Sequence, residues 1–148
     1  MNSANVECQE LEIDTITYSA ECGILSVKCS GKFGVGSGGN PSAELLMGTI
    51  KQWMSDHPEQ SVTEIEIDYT RVDYAWGDGP VWSMVGLLDQ GVDKFRLIGS
   101  SSNCDSLKGL LEGCRLPWFE LLRIDEIEGK SVVTSVPLKG LKPRTGFE

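Results

Sequence analysis

Alternating hydrophobic and polar residues predict most of the strands in this chain. The pattern is clearest at Val62–Tyr69, where Ile65, Ile67 and Tyr69 point one way and three acidic residues point the other. Segments with the composition and spacing of strands lie at Leu11–Tyr18, Ile24–Phe33, Val62–Tyr69, Asp93–Gly99 and Phe119–Ile124. Glu21-Cys22-Gly23 joins the first two, and this short link predicts an antiparallel hairpin.

Helical spacing separates the later strands. From about Ser42 to Asp56 the apolar residues form one stripe, made of Ala43, Leu46, Met47, Ile50, Trp53 and Met54. His57-Pro58 ends this helix, because a residue before proline avoids the helical region. A second helix is predicted from about Pro80 to Gln90, with Val81, Met84, Val85 and Leu88 on its apolar face and Gly91 as C-cap. A third begins near Asn103 or Asp105 and ends near Gly113.

The predicted order is therefore β-β-α-β-α-β-α-β, an α/β fold with a mixed sheet of about five strands. Strands that alternate with helices imply parallel neighbours and right-handed crossovers. Glu64, Glu66 and Asp68 share one face of the middle strand, so we expect helices mainly on the other face and a largely wet acidic face. One domain is predicted over residues 1–128. Residues 129–148 form a C-terminal extension in which Val132-Val133 could add a short edge strand before a loosely held end.

Charge and composition narrow the classes of function. The net charge is −9 and the pI about 4.6, which argues against general nucleic-acid binding and against anionic membrane surfaces. No apolar run approaches the ~20 residues of a membrane helix, and the first ten residues lack the pattern of a secretory signal, so we expect a cytoplasmic protein. The five cysteines contain no C-x-x-C pair and His57 is the only histidine; we therefore expect reduced thiols, no metal and no cofactor.

Two loops are candidate sites. Gly34, Gly36 and Gly39 match G-x-G-x-x-G between a strand and a helix, which raises the possibility of a nucleotide or other small ligand. The preceding strand is half polar and the loop lacks Gly-Lys-Ser/Thr, so a plain flexible loop is the favoured interpretation. The second loop, Gly77-Asp78-Gly79-Pro80, leads from a strand into a helix N-terminus, where backbone N–H groups are unpaired.

Aromatic residues flank this second loop and favour protein binding. Trp76 is the best surface candidate among them, whereas Trp82 is expected to pack inward on its helix. The partner-binding residues predicted here are Tyr74, Trp76, Gly77, Asp78, Gly79, Pro80 and Ser83. Catalysis is the weaker interpretation: His57 has no evident nucleophile beside it, and Asp68, Asp73 and Asp78 are more typical of turn and helix caps.

Three segments resemble the STAS domain, the fold of anti-sigma factor antagonists and of the cytoplasmic tails of sulfate transporters. The first, Leu25-Ser-Val-Lys-Cys-Ser-Gly-Lys-Phe33, is similar to that family's second strand. The second, Ile65-Glu-Ile-Asp-Tyr-Thr-Arg-Val-Asp-Tyr74, follows the family's order of hydrophobic, acidic and hydroxyl residues. The third, Leu107-Lys-Gly-Leu-Leu-Glu-Gly-Cys-Arg-Leu-Pro-Trp-Phe119, resembles the closing helix-Gly-aromatic segment. The likeness covers Leu11 to Asp125.

The resemblance implies a non-catalytic regulatory module of bacterial type whose partner is an anti-sigma-factor kinase or another signalling protein. In that family a phosphorylatable serine begins the second helix. Here the corresponding turn reads Trp76-Gly77-Asp78-Gly79, without a hydroxyl, and Asp78 supplies a permanent negative charge. Ser83 and Thr70 are the nearest other phosphate acceptors. A homo-oligomer formed through the wet sheet face is a further expectation.

Overall fold

A computed structural model of the protein describes residues 11–33, 40–74, 79–92, 94–112 and 119–138. The strands are β1 (Leu11–Ser19), β2 (Ile24–Lys32), β3 (Glu64–Asp73), β4 (Lys94–Ser100), β5 (Phe119–Ile127) and β6 (Lys130–Val136). The helices are α1 (Asn40–Asp56), α2 (Gly79–Val85) and α3 (Cys104–Glu112), with a 3₁₀ turn at Leu88–Gln90. No helix within the described residues has the length and apolar character needed to span a bilayer.

The six strands form one mixed sheet in the order β1-β2-β3-β4-β5-β6. The two end pairs are antiparallel, and the strands from β2 to β5 are parallel neighbours. Because each parallel step moves in the same direction across the sheet, right-handed crossovers place all three connecting helices on one face. The α/β class and the mixed sheet predicted from the sequence are confirmed.

A single hydrophobic core lies between the sheet and the helices. Ile65, Ile67 and Tyr69 of β3 are fully buried in it. Each helix contributes side chains to the same cluster, including Leu46 and Ile50 of α1, Met84 of α2, and Leu107 and Leu111 of α3. One cluster shared by all three helices is the packing expected when they cover the same face of the sheet.

The strand count differs from the prediction, because the sheet has six strands and not about five. β6 is a full seven-residue strand that pairs with β5 from Ile127↔Lys130 to Leu121↔Val136. Glu128 and Gly129 form the two-residue link, with φ angles of 52° and 77°. Positive φ at both positions is the signature of a type I′ hairpin turn. The sheet therefore takes in part of the segment predicted to be a C-terminal extension.

The face without helices carries a row of polar side chains across four strands, and three of the four are charged. Ser26, Glu66, Arg96 and Glu120 are in register on β2 to β5. Arg96 Nε donates to Glu120 Oε1 at 2.9 Å, and Arg96 Nη1 donates to Glu66 Oε2 at 3.2 Å. Arg96 Nη2 also lies 3.4 Å from Glu64 Oε2. One guanidinium thus pairs with three carboxylates.

The sequence predicted that this acidic face is largely exposed to water, but its ion-paired residues are mostly shielded. The Arg96 side chain is only 28% exposed, and Glu64 as a residue is 7% exposed. Ile98 of β4 is also buried on this side, at 9%. The acidic residues of β3 therefore shield one another and their arginine from solvent, although no helix of the described chain covers them.

We predict that Arg96→Met destabilises the protein by about 2 kcal/mol, because it leaves three neighbouring carboxylates without their cation. Partial exposure keeps the loss below that of a fully buried pair. Urea unfolding at low and high salt measures it, and added salt should reduce the loss by screening the remaining carboxylates. Lys28→Met, at an exposed position of β2, is the control and should change the stability by less than about 0.5 kcal/mol. Equal losses of stability for Arg96→Met and Lys28→Met would contradict the stabilising role of Arg96.

Candidate functional site

The candidate site lies where β3 ends and the chain turns towards α2. Phe33 N–H donates to the Asp73 carbonyl at 2.9 Å, which ties the end of β2 to the end of β3. The Phe33 ring makes edge contacts with Tyr69 and Tyr74, with ring centres 6.1 and 6.2 Å apart. Phe33, Tyr69 and Tyr74 are all nearly inaccessible to solvent. These aromatic contacts fix the backbone immediately before the turn.

Asn103, which precedes α3, forms hydrogen bonds with the same end of β3. Its Nδ2 donates to the carbonyl oxygens of Tyr69 at 2.9 Å and Val72 at 2.8 Å. Its Oδ1 accepts from Ser100 N–H at 2.9 Å. The side chain is 98% buried, so these bonds satisfy groups that water does not reach. A side chain predicted only as a helix cap therefore also holds the strand that leads into the site.

The first residues of α2 are packed inside the protein. Gly79 and Pro80 are buried, and Ser83 is completely inaccessible. Ser83 Oγ donates to the Pro80 carbonyl at 2.7 Å, which occupies an N-terminal carbonyl of this short helix. Of the predicted partner-binding residues, Tyr74, Gly79, Pro80 and Ser83 therefore form the support of the site, whereas Trp76, Gly77 and Asp78 lie outside the described residues.

Trp82 is the exposed aromatic residue of α2, contrary to the expectation that it packs inward. Its exposure is 58%, and Val85 on the same helix is 42% exposed. The buried positions are Pro80, Ser83, Met84 and Leu87. Their spacing of i, i+3, i+4 and i+7 is a complete helical stripe that excludes Trp82. The prediction failed because it placed Val81 and Val85 on the inner face, a rotation of one residue.

A pocket of about 290 Å³ opens beside Trp82, between α1 and α2. The described residues that line it are Ala43, Glu44, Met47 and Trp82. The helices approach closely at Gly86, where an added Cβ would overlap with Met47 Sδ. The site therefore combines an exposed indole, a flexible thioether and one carboxylate around a concave surface.

Asp68 and His57 are not among the described residues that line this pocket. The Thr70 hydroxyl donates to Asp68 Oδ1 at 2.6 Å, so the Asp68 carboxylate is bound within β3, at the residue where the pairing with β4 ends. His57 stacks on Trp53 with ring centres 4.0 Å apart, and its Nδ1 lies 2.8 Å from the Trp53 carbonyl oxygen. Gly34, Gly36 and Gly39 lie outside the described residues, so the ligand loop stays a prediction. Among the side chains that the structure describes, no group of three metal-ligand residues is found.

The cysteines of the described chain are free thiols in different environments. Burial, with smaller contributions from Asp14 and Asp68, raises the pKa of Cys29 to about 12. Burial also raises the pKa of Cys104. Cys22 is exposed in the link between β1 and β2. Because the thiolate is the reactive form, burial lowers the reactivity of Cys29 and Cys104 in the folded protein.

Comparison of the chain with protein-family models, with curated proteins and with solved structures gave no match. The class that the fold and the site define is therefore an α/β domain with helices on one face of its sheet and a tryptophan-lined pocket between two of them.

We predict that a thiol-alkylating reagent at pH 8 modifies Cys22 rapidly and leaves Cys29 and Cys104 unmodified in the folded protein. The buried thiols retain their protons in the folded state, while unfolding exposes them and returns the pKa of each towards 9.0. Peptide mass spectrometry measures each site separately, so Cys22 is an internal control. A urea-denatured sample should label at all three, and equal labelling rates in the folded protein would contradict the assignment.

We predict that Asn103→Ala lowers the free energy of unfolding by about 2–4 kcal/mol, because it removes three hydrogen bonds and leaves the carbonyl groups of Tyr69 and Val72 unpaired. Urea unfolding measures the loss. The neighbouring exposed change Ser102→Ala should cost less than about 0.5 kcal/mol. If Asn103→Ala lowered the free energy of unfolding as little as Ser102→Ala, Asn103 would not be holding the end of β3.

Proposed function

We propose that this protein is a non-catalytic interaction module, related in its action to the STAS-like anti-sigma factor antagonists, that binds a protein partner through the entrance and outer face of α2. The observation that carries the proposal is Trp82, exposed at 58% beside the 290 Å³ pocket between α1 and α2. Tryptophan is strongly enriched among residues that dominate protein–protein affinity. An indole already at the surface needs no rearrangement to bind.

A second apolar side chain is exposed on α2, because Val85, three residues after Trp82, is 42% exposed. Met47 lines the pocket together with Trp82 and has an adaptable side chain of the kind often used at binding surfaces. A partner that inserts an apolar side chain beside the indole would shield these groups from water, with Glu44 at the polar rim.

The support beneath this surface favours a preorganised site. Asn103 and the Phe33 contacts hold the end of β3 and Tyr74, and the start of α2 is buried. Preorganisation lowers the entropy that association costs. The charge at Asp78, together with the acidic balance of the chain, favours a partner with a basic contact surface.

The proposed module works without a serine phosphoswitch at its helix entrance. Ser83 is fully buried with its hydroxyl bound to the Pro80 carbonyl, so a kinase has no access to it in the folded protein. Thr70 is hydrogen-bonded to Asp68 through both its backbone N–H and its hydroxyl. Fixed charge at Asp78 would take the place that phosphate has in the resembling family. An anti-sigma-factor kinase or another signalling protein is the partner that the resemblance implies.

We predict that Trp82→Ala weakens partner binding by tenfold or more, because it removes the central aromatic contact. A photo-crosslinking residue at position 85 would capture the partner, and calorimetry with the purified partner would give the dissociation constants. Ile127→Ala removes an apolar group of similar exposure from the end of β5 and is the matched control, since Ile127 is 53% exposed.

Asp78→Lys tests the electrostatic part of the same proposal. Reversal of this charge should weaken the binding of a basic partner. Added salt should reduce the difference in affinity between Asp78→Lys and the unmodified protein. Unchanged affinity of both Trp82→Ala and Asp78→Lys would rule out this surface as the binding site.

A further inference from the structure

The hairpin formed by β5 and β6 exposes apolar side chains along a sheet edge. Ile127 is 53% exposed, Val132 40% and Val133 57%. Within the described chain no strand pairs with the outer edge of β6, and residues 130–135 are all exposed. The hairpin also extends beyond β4, whose last partner in β5 is Ile124. This edge is independent of the proposed function, because Trp82 lies on α2.

The two exposed valines of β6 point to opposite faces of the sheet. Val133 lies opposite Ile124, and Val132 lies opposite Asp125 on the other face. A helix packed on either face would cover only one of them. A further strand along the edge would bring neighbouring side chains to both, so the exposure pattern favours strand addition.

The backbone of β6 is suited to such pairing. In a hairpin with a two-residue turn, Ile127 and Lys130 form the first hydrogen-bonded pair, and hydrogen-bonded and non-hydrogen-bonded pairs alternate from there. Ser131, Val133 and Ser135 therefore direct their N–H and C=O groups away from β5. These groups form a ready set of donors and acceptors on the outer edge.

The opposite edge of the sheet is protected, whereas β6 is not. β1 carries Glu12 and Asp14, and its pairing is interrupted by a register shift between Ile13 and Thr15. Charges and bulges are the usual means of preventing edge pairing. From Ser131 to Val136 the β6 strand has no charge, proline or bulge. The features that block association are confined to the ends of this stretch, at Lys130 and Pro137.

We propose that β6 pairs with β6 of a second copy of this chain, antiparallel and centred on Val133, so that one sheet runs through two molecules. The strand is complementary to itself in this register: Val132 meets Thr134 and Ser131 meets Ser135 of the other copy, which are β-branched and hydroxyl pairs that stabilise strands. Each molecule carries −9, so two copies can approach closely only where neither presents acidic groups, and the Ser131–Val136 strip is uncharged.

Sedimentation over a range of protein concentrations tests the proposal. The unmodified protein should shift from the mass of one chain to twice that mass, and Val133→Lys should raise the dimer dissociation constant at least tenfold because a lysine at the edge opposes pairing. Val85→Lys adds the same charge at an exposed valine of α2 and should leave the dimer unchanged. A protein that is monomeric at millimolar concentration, or a Val133→Lys variant that dimerises normally, would overturn the proposal.

Hydrogen exchange on the unmodified protein distinguishes this dimer from any other. The amides of Ser131, Val133 and Ser135 should become at least tenfold more protected as the concentration rises, because they gain partners across the interface. The amides of Val132 and Thr134 already donate hydrogen bonds to β5, so their protection from exchange should change much less. Dimerisation without this alternating protection would overturn edge pairing even if the mass doubles.

Discussion

The constraint on which the structure depends is the sequential order of its strands. β2, β3, β4 and β5 follow one another across the sheet as parallel neighbours, and each crossover must be right-handed. All three helices are therefore on one face, and the core forms only there. The other face has to be stabilised by side chains alone. Arg96 does this by pairing with carboxylates from β3 and β5, which makes an acidic strand compatible with a buried sheet.

The same order places the helix entrances at the carboxyl edge of the parallel strands, where sites in α/β proteins commonly form. A short α2 of seven residues cannot bury a broad face, so two of its large side chains remain in solvent. Rigidity at this edge comes from a few strong polar contacts, above all those of Asn103 with the end of β3. An exposed aromatic residue on a fixed support is the combination expected of an interaction surface.

Long, regular patterns in the sequence were sufficient to predict most of the fold. The α1 stripe and the alternation in β3 are several turns or residue pairs long, so a local irregularity does not change their assignment. α2 offered only two turns, and an error of one residue rotated its face by about 100° and misplaced Trp82. β6 was harder to predict than α2, because residues 130–135 are all exposed and buried and exposed positions do not alternate along it. Its signal was the Glu128-Gly129 turn, which the sequence analysis did not use.

The candidate site was predictable in position but not in detail. A strand followed by Gly-Asp-Gly-Pro correctly marks the approach to a helix, yet only packing decides which neighbours are supports and which are contacts. Tyr74 is buried against Phe33, which directly follows β2 and lies more than 30 residues earlier in the chain. Asn103 reaches β3 from a similar distance. Such contacts depend on the neighbour relations of the sheet, and no local pattern encodes them. A short sequence motif therefore locates the start of α2, while the packing on the sheet decides that Trp82 is exposed to solvent and that Tyr74 and Ser83 are buried.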